Sequence, residues 1–184
     1  SGTVWASVNL GAESETEAGN YYAWGELTPK DYYGEDNYSA MSYQNEFLPY
    51  SMDAARYQWG GRWRMPSAGD WDELLSHCEV TFLKDYSTGF GYYLITGQNG
   101  KSIKIPLGGY RIEGEAYEDG YVAVQWTGQL QDPQSAYSFV LSNDGSWQLG
   151  AHMRSVGFNI RPVFKNETAY VVRYDANGGY GEMP

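Results

Sequence analysis

The segment that most constrains the fold is a double glycine that leads through a proline into a helix signal, Gly60-Gly61-Arg62-Trp63-Arg64-Met65-Pro66-Ser67. The glycine pair favours a tight turn, and Pro66 fixes φ immediately before a helix. Ser67 can cap that helix, and Asp70 stands where a capping box places its second member. We therefore predict a turn, a short extended stretch and a helix from about Ser67, a pattern that ordinary turn–helix entries share.

Apolar spacing and turn residues predict an α+β chain. Trp71, Leu74 and Leu75 recur at i, i+3 and i+4, so the helix over 67–78 has one apolar face. An earlier helix is expected at 51–59. Asn99-Gly100 and Asn143-Asp144-Gly145 predict turns between neighbouring strands. The strands are predicted at 3–8, 92–96, 102–105, 123–127, 136–141, 147–149 and 158–164.

Several segments resemble one known family. Residues 60–75 are similar to the G-G-x-W-R-M-P-T/S and E-L-L element of the Fibrobacter succinogenes major paralogous domain family, which belongs to the C-type-lectin-like superfamily. The resemblance implies an α+β, C-type-lectin-like fold over residues 1–165, with two helices and short antiparallel strands. The other matches follow in the family's order: an opening at 2–12, G-x-Y-Y/F-A-W-G-E at 19–26, N-G-N-S-I-x-x-P-x-x-G-Y-R at 99–111 and G-F-S-V-R-P-V at 157–163.

The last residues resemble a different protein module. The run from Ala169 to Pro184 is similar to the opening of the Listeria–Bacteroides surface repeat, a small β-grasp unit that occurs in tandem on cell-surface proteins. We therefore expect residues 166–184 to be a linker and the first strand of a truncated repeat, and the chain to be one module of a larger surface or secreted protein. A terminal strand that joins the main sheet is the alternative.

Charge and composition narrow the class of partner. The formal net charge is −11, with only 12 Lys and Arg residues, so nucleic acid and anionic membrane surfaces are not the expected partners. No segment reaches the apolar length of a membrane span, and no membrane insertion is expected. The single cysteine, Cys78, cannot form an intramolecular disulfide and is predicted to be a small buried thiol. An extracellular or cell-surface location is predicted.

Enzymatic chemistry finds little support in the sequence. The resemblance extends to formylglycine-generating enzymes, which use a reactive cysteine pair with copper, whereas this chain has only Cys78. His77 and His152 are too few and too far apart to favour a zinc site. A Ser/His/Asp arrangement stays open, although no G-x-S-x-G signature is present. A carboxylate pair for glycoside hydrolysis also stays open, from Glu113, Glu115, Glu118 and Asp119. We predict that the protein is not an enzyme.

Calcium is the second chemistry to consider. Sugar-binding C-type lectins hold calcium with a Glu-Pro-Asn or Gln-Pro-Asp triplet followed by Trp-Asn-Asp, and none of these triplets occurs here. No cofactor is therefore predicted. A structural calcium ion remains the alternative, because two segments are rich in oxygen ligands. These are the loop 113–119 and the group Asp31, Glu35, Asp36 and Asn37.

The resemblance places ligand contacts in the C-terminal half of the domain. Aromatic anchors among adaptable polar residues are typical of binding surfaces, and this half contains many of both. The candidate ligand-binding residues are Tyr110, Glu113, Tyr117, Tyr121, Gln125, Gln129, Trp147, His152 and Arg154. The residues Trp126, Phe139, Phe158 and Ile160 are predicted to be core, and Arg161 is predicted to anchor a buried polar contact.

These expectations favour a non-enzymatic extracellular recognition domain that binds a protein or a glycan through its C-terminal half. Besides a remnant or unrecognised enzyme, two alternatives stay open. One is a carbohydrate-binding accessory module of a secreted hydrolase, which needs aromatic side chains aligned as a stacking platform. The other is a structural module of an adhesin that has no ligand of its own.

Overall fold

The computed structural model describes residues 2–84 and 91–165. Within these ranges the chain has a mixed α+β structure, with mostly antiparallel strands and two α-helices, which confirms the predicted class. The predicted tail unit, 166–184, lies outside the described residues. The helices are α1 (Ala54–Trp59) and α2 (Ala68–His77), with short 3-10 turns at Glu35–Asn37 and Tyr50–Met52. The strands are β1 (Thr3–Trp5), β2 (Glu79–Lys84), β3 (Gly91–Thr96), β4 (Ser102–Pro106), β5 (Tyr110–Ile112), β6 (Glu115–Tyr117), β7 (Val122–Leu130), β8 (Ser135–Ser142), β9 (Trp147–Met153) and β10 (Val163–Lys165).

Helix α2 begins as the sequence predicts. The Ser67 hydroxyl accepts a hydrogen bond from the Asp70 amide, and the Asp70 carboxylate accepts one from the Ser67 amide, which completes the capping box. Arg64 adds an ion pair of 2.8 Å to the same carboxylate. Asp70 is only 3% exposed, so this network ties the extended segment before the helix to its first turn.

The two ends of the described domain are joined by β1 and β10. These strands pair antiparallel, with Thr3 opposite Lys165 and Trp5 opposite Val163. Val163 also exchanges two backbone hydrogen bonds of 2.9 Å with Arg64. The strand that ends the domain is thus held between its first strand and the segment that leads into α2.

Two three-stranded antiparallel sheets form the centre of the molecule, in the orders β2-β3-β4 and β7-β8-β9. The predicted turns at Asn99-Gly100 and Asn143-Asp144-Gly145 join β3 to β4 and β8 to β9. Strand β2 and the β5–β6 hairpin were not predicted. The predicted strand over 158–164 is regular only in β10, because Phe158 and Asn159 instead form isolated bridges with Tyr22 and Gln125.

The core occupies both faces of the β7-β8-β9 sheet. Alternation along β7 sends Val124 and Trp126 to one face and Ala123 to the other. The first face packs around Trp24, Trp126 and Phe158, and the second packs around Trp71, Tyr93 and Phe139. The predicted core residues Trp126, Phe139, Phe158 and Ile160 are all buried, which confirms their role.

Arg161 is a buried polar anchor, as predicted. Its guanidinium is fully buried and donates hydrogen bonds to the Asn9 side chain and to the carbonyls of Ala6 and Lys104. No helix in 2–84 or 91–165 is long and apolar enough to cross a membrane.

Candidate functional site: a cleft between a hairpin and a sheet

The cleft is formed by the β5–β6 hairpin and the first face of the β7-β8-β9 sheet. The hairpin turns through Glu113 and Gly114, whose φ angles are +50° and +82°. Positive φ at both central residues is the geometry of a type I′ turn, which normally selects Asn-Gly or Gly-Gly. Glu113 therefore occupies a position where a larger side chain carries backbone strain.

The cavity enclosed there has a volume of about 330 Å³. This lies near the lower limit for ligand sites, so one amino-acid side chain or one sugar ring fits better than a large cofactor. Valine side chains from two sheet strands supply much of its wall. The residues that line it are Tyr110, Ile112, Glu118, Val122, Val124, Val140, His152, Met153, Val156 and Phe158.

Tyr110 and Tyr117 form a stacked aromatic pair on the hairpin side. Their ring centroids are 5.6 Å apart and the planes are 13° from parallel. Tyr110 also meets Phe158 edge-on at 6.1 Å, which anchors the pair to the core. Tyr117 is 43% exposed, so the stack presents apolar and hydroxyl surface to solvent beside the cleft.

His152 lies on the sheet side of the cleft and is half-buried. Its Nδ1 is 2.8 Å from the Ser138 hydroxyl, and its ring packs edge-on against Phe158 at 5.2 Å. Burial lowers the pKa of His152 below its usual value, so the imidazole is neutral at physiological pH. Ser138 is fully buried, and among the described residues His152 has no hydrogen bond to a carboxylate. The pair is thus arranged as a packed wall rather than as an accessible nucleophile and base.

Glu118 is the one acidic residue among those that line the cleft. Its φ of +56° makes it, with Glu113, one of two non-glycine residues in the left-handed region within the described ranges. The Glu118 carbonyl accepts hydrogen bonds from the amides of Tyr121 and Val122, which fixes the strained turn. Burial, together with the nearby Glu118 carboxylate and Tyr117, raises the pKa of Tyr110.

Three of the nine predicted ligand-binding residues meet at the cleft: Tyr110 and His152 line it, and Tyr117 stacks on Tyr110. The remaining exposed ones lie elsewhere. Tyr121 borders a separate depression with Lys84 and Asn143. Trp147 lies five residues before His152 on β9, so strand alternation sends it to the opposite face.

Glu113 and Gln129 contact loops of the N-terminal half. The Glu113 amide donates to the Tyr33 carbonyl at the hairpin turn. The Gln129 side chain donates to the Glu46 carboxylate at 3.3 Å, beside the backbone pairing of 46–48 with the end of β7. Both residues are therefore placed away from the cavity lining.

Gln125 and Arg154 are fully buried, and the proposed binding surface omits them for this reason. The Arg154 guanidinium donates to the Tyr38 hydroxyl at 3.0 Å and to the carbonyls of Ala40 and Pro133. It therefore clamps the 38–41 loop to the sheet. Gln125 lies on the core face of β7, and its side-chain amide has no hydrogen-bond partner among the described residues.

A larger groove of about 630 Å³ runs between β1, α2 and the β3–β4 hairpin. Trp5 lines it but already packs edge-on against Trp71 at 4.6 Å. None of the residues that line this groove has the strained backbone found at Glu118. Aromatic stacking and strain at one place make the smaller cleft the stronger candidate.

The two segments considered for calcium do not form a cluster of carboxylate ligands. No group of three or more His, Cys, Asp or Glu residues placed to hold a metal occurs in 2–84 or 91–165. The Asn37 side-chain oxygen instead accepts hydrogen bonds from the Lys30 ammonium and the Gly34 amide. Asp119 is paired with Arg111 at 2.7 Å.

Sequence reasoning missed the valines of the cleft and the position of Glu118. Alternation within β7 and β8 could have placed Val122, Val124 and Val140 on one face, since the register pairs Val124 with Val140. The hairpin that covers this face was not predicted, because its turn lacks the usual Asn-Gly signature.

Comparison with protein-family models, with curated proteins and with solved structures finds no match for this chain.

Proposed function

We propose that this chain is a non-enzymatic recognition domain, C-type-lectin-like in fold, that binds a protein or a glycan ligand at the cleft between the β5–β6 hairpin and the β7-β8-β9 sheet. The observation that carries the proposal is the stacked Tyr110–Tyr117 pair beside a 330 Å³ cavity. Rigid aromatic side chains at the edge of an apolar cavity are the usual anchors of binding sites.

Backbone strain supports the same location. The two non-glycine residues with positive φ, among those described, flank strand β6 on its two sides. Such conformations cost about 1–3 kcal/mol each and cluster at functional sites. Glu113 and Glu118 thus place two strained backbone positions beside the cleft.

The chemistry of the cleft favours binding over catalysis. Its titratable side chains are Tyr110, Glu118 and His152, and the His152 ring is engaged with buried Ser138. A catalytic pair needs a nucleophile or two carboxylates that reach a substrate together.

We propose an extracellular or cell-surface location. The support is the resemblance of residues 169–184 to a repeat of cell-surface proteins and the resemblance of residues 1–165 to the C-type-lectin-like superfamily.

The test is a binding selection with matched variants. The purified domain is screened against a phage-displayed peptide library and against a glycan array, with calcium and with EDTA. Tyr117→Ala should lose the selected ligands, while Tyr57→Ala, which removes a more exposed tyrosine on α1, should keep them. Ligands that bind Tyr117→Ala as tightly as the wild type would refute this site, and an empty screen would favour a ligand-free structural module.

A further inference from the structure

The walls of the cleft match the stem of a long aliphatic side chain. Val122, Val124 and Val140 come from neighbouring positions of β7 and β8 and line one side of the cavity. Apolar contact of this kind stabilises a bound chain of methylene groups by removing it from water. The cavity therefore suits a ligand group that is mostly hydrocarbon.

One charged group lies at the same cavity. Glu118 lines it, its carboxylate is close enough to Tyr110 to raise the pKa of that phenol, and it forms no ion pair with any residue in 2–84 or 91–165. His152 adds no positive charge, because burial keeps it neutral at physiological pH. Glu118 is exposed to solvent and has no counter-ion of its own among the described residues, so its carboxylate is free to form a charge-assisted hydrogen bond with a cation of the ligand.

The Tyr110 ring adds a second attraction for a cation. A Lys or Arg head group within about 6 Å of a tyrosine ring is attracted by its π-electrons. Tyr110 lines the cavity together with Glu118, and the nearby Glu118 carboxylate helps to raise the pKa of Tyr110. The net charge of −11 adds a long-range negative potential, which also attracts a cationic ligand.

We infer that the cleft takes the side chain of a lysine or arginine of a partner protein, with its aliphatic stem against the valines and its cation at the Glu118 carboxylate. This rests on the proposed function, since it names the ligand chemistry of that same site. The backbone at Glu118 has a φ of +56°, which glycine would fit better, and yet a carboxylate side chain occupies this position beside the cavity.

The test is an NMR titration of the whole chain with two small probes that differ only in the ammonium group. Nα-acetyl-lysine N-methylamide carries the cation, and the norleucine counterpart replaces the ammonium by hydrogen at nearly equal length. We expect the lysine probe to shift the signals of Tyr110, Val140 and His152 and to bind about fivefold tighter than the norleucine probe. Glu118→Gln should reduce that ratio to near one, and Glu115→Gln, an exposed change on β6 outside the cavity lining, should not.

Each contrary outcome separates this inference from the proposed function. Equal binding of both probes at the cleft would overturn the cation preference and leave the binding site intact. Shifts at the cleft with methyl glucoside but not with the lysine probe would overturn it in favour of a sugar. Lysine shifts located away from these residues, or none up to the solubility limit, would also overturn it. The library selection decides the proposed function independently.

Discussion

The ring of Tyr117 stacks on the ring of Tyr110 with a centroid separation of 5.6 Å and an angle of 13° between the planes. The two residues are directly opposite each other in the β5–β6 register, so the hairpin itself sets this contact. Tyr110 is packed against core Phe158, whereas Tyr117 is 43% exposed. The hairpin thus carries one ring that is fixed in the protein and one that is presented to solvent.

The stacked pair should be measurable as a coupling energy. Tyr117→Ala alone should cost little stability, because much of this side chain is already in water. In a double-mutant cycle with Tyr110→Ala, urea unfolding should give a coupling of about 0.5–1.5 kcal/mol. Additive effects of the two substitutions would show that the rings do not stabilise each other.

The strained turn at Glu118 predicts an unusual gain in stability. Glu118→Gly should raise the free energy of unfolding by about 1 kcal/mol, because glycine adopts φ near +56° without a penalty. The same variant should lose the preference for the lysine probe. Glu115→Gly is the matched control, since Glu115 lies in regular strand β6 and its replacement should destabilise by about 0.5–1 kcal/mol. A destabilised Glu118→Gly variant would show that the turn is not strained.

Arg154 is predicted to act on stability and not through ligand contact. Arg154→Met leaves the Tyr38 hydroxyl and the carbonyls of Ala40 and Pro133 without their donor in the core. We expect thermal or urea unfolding to show a loss of about 3 kcal/mol or more. Ligand affinity, measured where the variant is still folded, should stay within about twofold. A tenfold loss of affinity in a folded variant would return Arg154 to the binding site.

Helix α2 depends on the Asp70 network. Burial opposes ionisation of Asp70, but hydrogen bonds from Arg64 and Ser67 outweigh it and lower its pKa. Asp70→Ala removes the cap and leaves Arg64 unpaired, and should cost about 2–4 kcal/mol. Asp72→Ala, an exposed change on the same helix, should stay within about 0.5 kcal/mol. Because the folded-state pKa of Asp70 is depressed, its contribution is present above the unfolded pKa and is lost as pH falls below about 4.

His152 predicts a second pH dependence of stability, from a base rather than from an acid. Its folded-state pKa is lowered by burial, so the unfolded chain takes up the proton first as pH falls. The free energy of unfolding should therefore decrease from pH 7 towards pH 5, and His152→Gln should flatten this decrease. An NMR titration of the His152 ring gives the folded pKa directly. A value at or above about 6.5 would contradict the described burial.

Local sequence signals predicted the helices and most of the central strands. The Ser67–Asp70 capping box, the apolar face of α2 and the Asn-Gly turn before β4 each act over a few residues, so their physics is readable without the fold. Strand β2 was missed because Glu79–Lys84 follows α2 without a turn signal and carries charged residues at both ends. The segment 158–164 was predicted to be one strand, but only its end lies in β10. Residues before Val163 instead contact several elements, with Phe158 bridging Tyr22 and Asn159 bridging Gln125.

The candidate site was only partly predictable. Exposed and buried tyrosines look alike in sequence, and so do Gln125 inside the core and Gln129 beside Glu46. Arg154 differs from a surface arginine through its contacts with Pro133 and with loop 38–41, which lies more than one hundred residues earlier in the chain. Long-range contacts of this kind, and the position of the hairpin over the sheet, follow from tertiary packing and have no local signature.

The most direct measurement is the NMR footprint, on the isotopically labelled domain, of the tightest peptide or glycan selected with the wild-type protein. We expect the largest chemical-shift changes on Tyr110, Tyr117, Val140 and His152, which come from four different strands and meet at the cleft. A footprint centred on Trp147, on Tyr121 or on the groove beside α2 would instead place recognition on another surface and refute the proposed site.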